Sequence, residues 1–169
     1  TYHISYPSGA FTNTGGDVSY VGTAYTFGAV KYAIQLWVWG PQDYGRLGLN
    51  ENNTKYSSPV QLPGTTWSEV ASGWTNHTVA TKTDGTLWTM GENWGGELGQ
   101  NSRTSYSSPI QIPGTTWSKV ATSYYNSRAI KTNGTMWSWG YNIKGELGVN
   151  SNVQYSSPVQ IPGTTCSTR

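Results

Sequence analysis

Few side chains in this sequence could do chemistry, and most of them recur. Glu97 and Glu146 could be taken for the two carboxylates of a glycosidase-like acid/base pair. Each stands in a Gly-Glu-Leu-Gly segment, and an earlier segment reads Gly45-Arg46-Leu47-Gly48. A position set by repetition reads as one surface position of a structural unit rather than as catalysis. The same segments lack the Gly-Lys-Ser/Thr ending that places a lysine on phosphate, so they read as structural turns with the Leu pinned into the core. Lys31, Lys82 and Lys131 also recur and read as solvated lysines on strands; with a net charge of +2 they make no nucleic-acid patch. His77 has no Cys, Asp or second His at ligand spacing, and His3 stands apart from any pattern. Cys166 lacks the setting of a thiol nucleophile, and no Gly-x-Ser-x-Gly elbow occurs. The expectation is therefore a protein without catalytic, metal-ligating or cofactor-binding residues.

Aromatic side chains are the other resource, with nine Trp and twelve Tyr among 169 residues. Trp37, Trp88 and Trp137 recur in register, as do Trp67 and Trp117, which argues for packing between units. Trp39 and Trp139 share a position with Met90, a common gap-filler. Residues that break the recurrence are the better functional candidates. Trp74, Tyr124 and Tyr125 fall in loops that differ between units, and Tyr44 and Trp94 stand just before Gly-x-Leu-Gly. Aromatics in variable loops suit recognition, so these five are the candidate partner-binding residues.

The elements that would position them follow from the recurrence, which has a period of about 50 residues, in the range of propellers and solenoids. Thr65–Gly114 and Thr115–Gly163 are close copies, and a third ends at Gly64. Each copy divides into four short strands: Trp-Ser-x-Val-Ala; Val79–Lys82 and its equivalent; Leu87–Gly91 and its equivalent; and Pro-Val-Gln-Ile-Pro. Asp84-Gly85 and Asn133-Gly134 lie between the second and third, where a two-residue hairpin would use their positive φ. The prolines that flank the fourth strand place it at a sheet edge. Charged residues make up only 11% of the chain, and the Thr, Ser, Asn and Gly that replace them suit strands and turns. The expected organisation is an arm or irregular strand over 1–21, a degenerate repeat over 22–64, repeats over 65–114 and 115–163, and an aborted fourth over 164–169.

Trp137-Ser138-Trp139-Gly140-Tyr141-Asn142, followed by Gly145-Glu146-Leu147-Gly148 and preceded by Ala129-Ile130-Lys131-Thr132-Asn133-Gly134, resembles the repeat of the regulator-of-chromosome-condensation family. The resemblance covers roughly residues 22–163. It implies an all-β fold of about three four-stranded antiparallel propeller blades, used as a binding platform. The Thr- and Trp-rich dialect is similar to repeats in phage structural and bacterial surface proteins. Together with the low charge it gives the leading expectation: a non-enzymatic module of a virion or extracellular surface. The alternative is an intracellular regulator that binds a protein partner, of the small-GTPase nucleotide-exchange type.

No apolar run is long enough for a membrane span. Propeller rings usually have four to eight blades, and about three blades leave terminal faces uncovered. The expected partners are therefore proteins, either copies of this chain or a larger assembly, with a fragment of a longer polypeptide as the other explanation.

Overall fold

The computed structural model describes residues 35–165. The proposed arm, the first half of the degenerate repeat and Cys166 lie outside the described residues. Ten strands follow in order: β1 (Trp37–Pro41), β2 (Lys55–Gln61), β3 (Trp67–Ser72), β4 (His77–Lys82), β5 (Leu87–Gly91), β6 (Tyr106–Ile112), β7 (Trp117–Thr122), β8 (Asn126–Lys131), β9 (Thr135–Gly140) and β10 (Tyr155–Thr165). One 3-10 turn, Asp43–Gly45, joins β1 to β2. The strands form two antiparallel four-stranded sheets, β3-β4-β5-β6 and β7-β8-β9-β10, and a two-stranded sheet β1-β2. This is a partial propeller of two complete blades and half of a third among the described residues. The proline-bearing strands β6 and β10 are edge strands, where a missing N–H costs least.

The register repeats from blade to blade. His77 faces Gly91 across β4–β5, and Asn126 faces Gly140 across β8–β9. The Asp-Gly and Asn-Gly turns depart from the expected geometry. Gly85 and Gly134 have φ near +80°, while Asp84 and Asn133 stay at negative φ. The Gly85 and Gly134 N–H groups bond the carbonyls of Lys82 and Lys131 three residues back, so each turn is type I with a left-handed glycine after it. The Asp84 and Asn133 side chains hold the exit, each accepting from the N–H and hydroxyl of Thr86 or Thr135.

Each of these threonine hydroxyls also accepts an indole N–H, from Trp88 at 2.9 Å or Trp137 at 3.0 Å. That fixes the indole edge-on to Trp67 or Trp117. The lysines are not simply solvated. Lys82 Nζ lies over Trp67 and Trp88 at 4.8 and 4.2 Å, and Lys131 Nζ over Trp117 and Trp137 at 4.5 Å each. Such contacts contribute about 0.5–1 kcal/mol at exposed sites.

Two apolar cores sit between blades. Leu62, Trp67, Ala80 and Met90 fill the first seam; Val79, Leu87, Ile112, Trp117, Ala129 and Trp139 fill the second. The recurring tryptophans are not all buried. Trp37 is 47% exposed and Trp39 62%, whereas Met90 and Trp139 are wholly buried. The reason is position: Met90 and Trp139 pack on the Gly-x-Leu-Gly loop of the blade before them, and Trp39 has no such loop among the described residues.

Candidate binding surface

Antiparallel order carries the β1–β2, β3–β4, β5–β6, β7–β8 and β9–β10 connections to one end of the blades. All five candidate aromatics lie in these connections. Trp74 is 90% exposed, Trp94 67%, Tyr124 58% and Tyr44 46%; Tyr125 is half-buried. Tyr124 and Tyr125 meet edge-on at 4.6 Å, and Tyr125 lies 6.0 Å from Tyr141. Burial, then Tyr124 and the Glu92 carboxylate nearby, push the Tyr125 hydroxyl above its usual pKa. Tyr141 in turn packs against Gly95, next to Trp94, and the Ser123 carbonyl packs against Gly73, next to Trp74. No ring contact joins Tyr44, Trp74 or Trp94 to the tyrosine group among the described residues. They stand apart from one another at that end of the blades. Tyr44 has φ +57°, a conformation that bulky residues rarely take, and it holds the ring outward.

A feature not anticipated from sequence keeps these loops in shape. A buried amide stands at the head of each long loop: Gln42, Asn93 and Asn142. Asn93 accepts from the Leu98 N–H and donates to the Ser102 and Thr104 carbonyls. Asn142 repeats this with Leu147, Ser151 and Val153, and Gln42 with Leu47 and Glu51. The signal was present in the sequence as an amide five residues before each loop leucine. Leu98 and Leu147 are buried, as their turns predict.

Glu97 is not a surface residue. It is wholly buried, because the third blade closes over its loop, whereas Glu146 on the last blade is half-buried. Glu97 Oε2 accepts the Gly95 N–H, and Oε1 has no partner. Desolvation lifts its pKa from 4.5 to about 7. Beside it, His77 is buried, which lowers its pKa. His77 Nδ1 donates to the Thr75 carbonyl at 2.9 Å, so Nε2 accepts. Ser127 Oγ lies 3.2 Å from that Nε2 and 2.8 Å from the Glu97 carbonyl. Its single proton serves one acceptor at a time, and the Trp139 N–H, at 2.8 Å, also covers the carbonyl. The group is a polar seam between blades, closed to substrate. Among the described residues no cluster of three His, Cys, Asp or Glu side chains could hold a metal ion, and no helix is long and apolar enough to cross a membrane.

Sheets of this order, joined by one recurring loop and packed face to face, define a β-propeller repeat protein. A family model described as Regulator of chromosome condensation (RCC1) repeat matches residues 35–81, 84–130 and 133–167, and the chain belongs to that family. A 71-residue stretch is 35% identical to Protein RCC2 homolog of Danio rerio, covering 41% of this chain and 14% of that protein. Human WBSCR16 superposes with a TM-score of 0.66 at 23% identity, over 76% of this chain and 33% of that one. Prp20p of Saccharomyces cerevisiae, described with its binding to Gsp1p and histones, superposes at 0.68 with 19% identity, over 76% and 34%. Yeast RCC1 (Prp20) bound to Kap60 gives 0.68 and 20%, over 76% and 33%. The chain thus spans about a third of these structures, and at such identity the likeness is one of fold.

Proposed function

We propose that this chain is a non-enzymatic propeller module that binds a protein partner through Tyr44, Trp74, Trp94, Tyr124 and Tyr125. The observation that carries the reading is the convergence of exposed aromatics on one end of rigid blades, braced by buried amides. Trp and Tyr supply large contact area and dominate binding hot spots. The likeness to Prp20p, whose described partners are Gsp1p and histones, favours the intracellular regulator over the virion or extracellular surface role; the latter has the low charge and the dialect of the repeat behind it. Association between copies is part of the same reading; among the described residues Trp39 stands exposed and nothing lies within 4 Å of a Cβ built on Gly148.

Cross-linking mass spectrometry on the native complex that contains this chain tests both halves. The expected result is cross-links to a protein partner clustered on the 42–54, 73–76, 92–105 and 123–125 loops, with a small GTPase or a histone among the partners. Capsid or fibre proteins in that place would restore the virion reading. Cross-links confined to the opposite end of the blades would overturn the assignment of the surface.

A further inference from the structure

The two seams between blades follow one plan and differ in how one corner is filled. In each, a lysine ammonium lies over two indoles that meet edge-on: Lys82 over Trp67 and Trp88, and Lys131 over Trp117 and Trp137. The residue that follows Gly-x-Leu-Gly is Leu49 for the first seam and Gln100 for the second. Leu49 packs against the core of Leu62, Trp67, Ala80 and Met90. Gln100 turns back onto its own blade, where its Nε2 donates to Thr89 Oγ1 at 3.3 Å. A cavity of about 370 Å³ opens there, with Gln100, Ile112, Pro113, Trp117, Lys131 and Trp137 in its walls. That volume is within the range of ligand pockets, roughly 300–1,000 Å³.

The donors around this cavity lack acceptors. Lys131 Nζ has no carboxylate or other acceptor among the described residues; its neighbours are the two ring faces, each at 4.5 Å. The Trp117 indole N–H is buried without a hydrogen-bond partner, whereas the Trp137 N–H is taken by Thr135. Among the described residues no Asp or Glu lines the cavity. An ammonium short of an acceptor draws an anion, which it binds by charge-assisted hydrogen bonds. Walls of Ile112, Pro113 and indole favour an apolar body behind that anion. A cationic ligand would meet the Lys131 charge, and a sugar would find the ring faces already occupied by the ammonium.

We propose that this seam cavity binds a small organic carboxylic acid in its ionised form, with the carboxylate on the Lys131 ammonium and the apolar body against Ile112, Pro113 and Trp137. The lysine and the indoles by themselves belong to the blade plan, since Lys82 and Trp67 repeat them and Trp67 also leaves its indole N–H unpaired. What turns the second seam into a site is the exchange of Leu49 for Gln100, which leaves the corner open in front of the same groups. None of the five loop-end aromatics lines the cavity, so the inference stands or falls independently of the partner-binding surface.

NMR titration of the 169-residue chain with sodium benzoate, read on the tryptophan indole N–H signals, tests it. The expected result is saturable binding at one site that shifts the Trp117 and Trp137 signals. Benzamide has the same body without the charge and binds at least about tenfold more weakly, the loss expected when a hydrogen bond to a charged group goes. Acetate keeps the charge without the body and is weaker by at least about tenfold too. Gln100→Leu rebuilds the packing of the first seam, so it melts no lower than wild type, yet it weakens benzoate binding by at least about tenfold because the cavity is filled. Lys131→Met keeps an apolar stem and loses benzoate in the same way. Absence of a saturable shift at tens of millimolar benzoate would overturn the inference. Equal affinity for benzamide would do the same, as would benzoate binding that survives Gln100→Leu.

Discussion

At the residue scale, Glu97 shows how packing decides chemistry. The carboxyl is identical in type to Glu146, yet a neighbouring blade covers only one of them. Its folded pKa of about 7 lies above the ordinary 4.5. Below pH 4.5 both folded and unfolded states hold the proton. As pH rises from about 4.5 to 7, the unfolded chain releases a proton that the folded chain retains, so stability falls across that window and stays reduced above it. Glu97→Gln keeps an acceptor for the Gly95 N–H and removes this dependence. Its melting temperature is expected to gain on wild type as pH rises from 4.5 to 7, by the equivalent of about 1–3 kcal/mol; an advantage constant with pH would contradict the assignment. His77 works in the other direction. Its depressed pKa means that the unfolded chain takes up the proton first, so its contribution is lost as pH falls below the ordinary 6.5. Neither behaviour was legible in the sequence, because burial at a seam depends on which blade follows.

At the element scale, the strands, their order and the edge position of the proline strands were legible, because every copy repeats the same alternation and turn residues. The turn geometry was not. Asp84 and Asn133 act through their side chains, each bonding a threonine that in turn holds an indole, and only the glycine takes the left-handed conformation. Recurrence also overstated equivalence among the tryptophans, since Trp39 and Trp139 share a sequence position but not a neighbour. That difference has a measurable consequence. Trp139→Ala empties a filled seam and is expected to cost about 3–5 kcal/mol. Trp39→Ala is expected to change the stability of the single chain by no more than about 0.5 kcal/mol. Urea denaturation of both variants compares them directly; equal losses would mean that Trp39 is packed as its counterparts are. Removing the Asn93 amide, as Asn93→Ala, leaves the Leu98 N–H and two carbonyls unpaired near the Trp94 loop. It is expected to cost about 1–3 kcal/mol and to raise proteolytic cleavage within 92–105, read by mass spectrometry of the fragments.

At the scale of the whole molecule, blade repetition fixes the ends of the strands, and the ends fix the surface. Five aromatics from four connections are set on one rim because antiparallel sheets return their odd-numbered loops to the same side. The sequence marked these residues as interruptions of a pattern, and the structure places them in connections at one end of the blades. What the sequence could not show was their grouping, with Tyr124, Tyr125 and Tyr141 in contact and Tyr44, Trp74 and Trp94 standing apart. The central claim is that this rim, rather than the blade seams, holds the protein partner. Equilibrium titration of the cross-linked partner against wild type and a Trp74→Ala, Trp94→Ala, Tyr124→Ala triple variant tests it most directly, with a melting curve as control. The account predicts affinity weakened at least about 30-fold, the effect of a loss of about 2 kcal/mol or more, with melting unchanged because the three rings are exposed. Affinity within twofold of wild type, in a variant that melts normally, would contradict it.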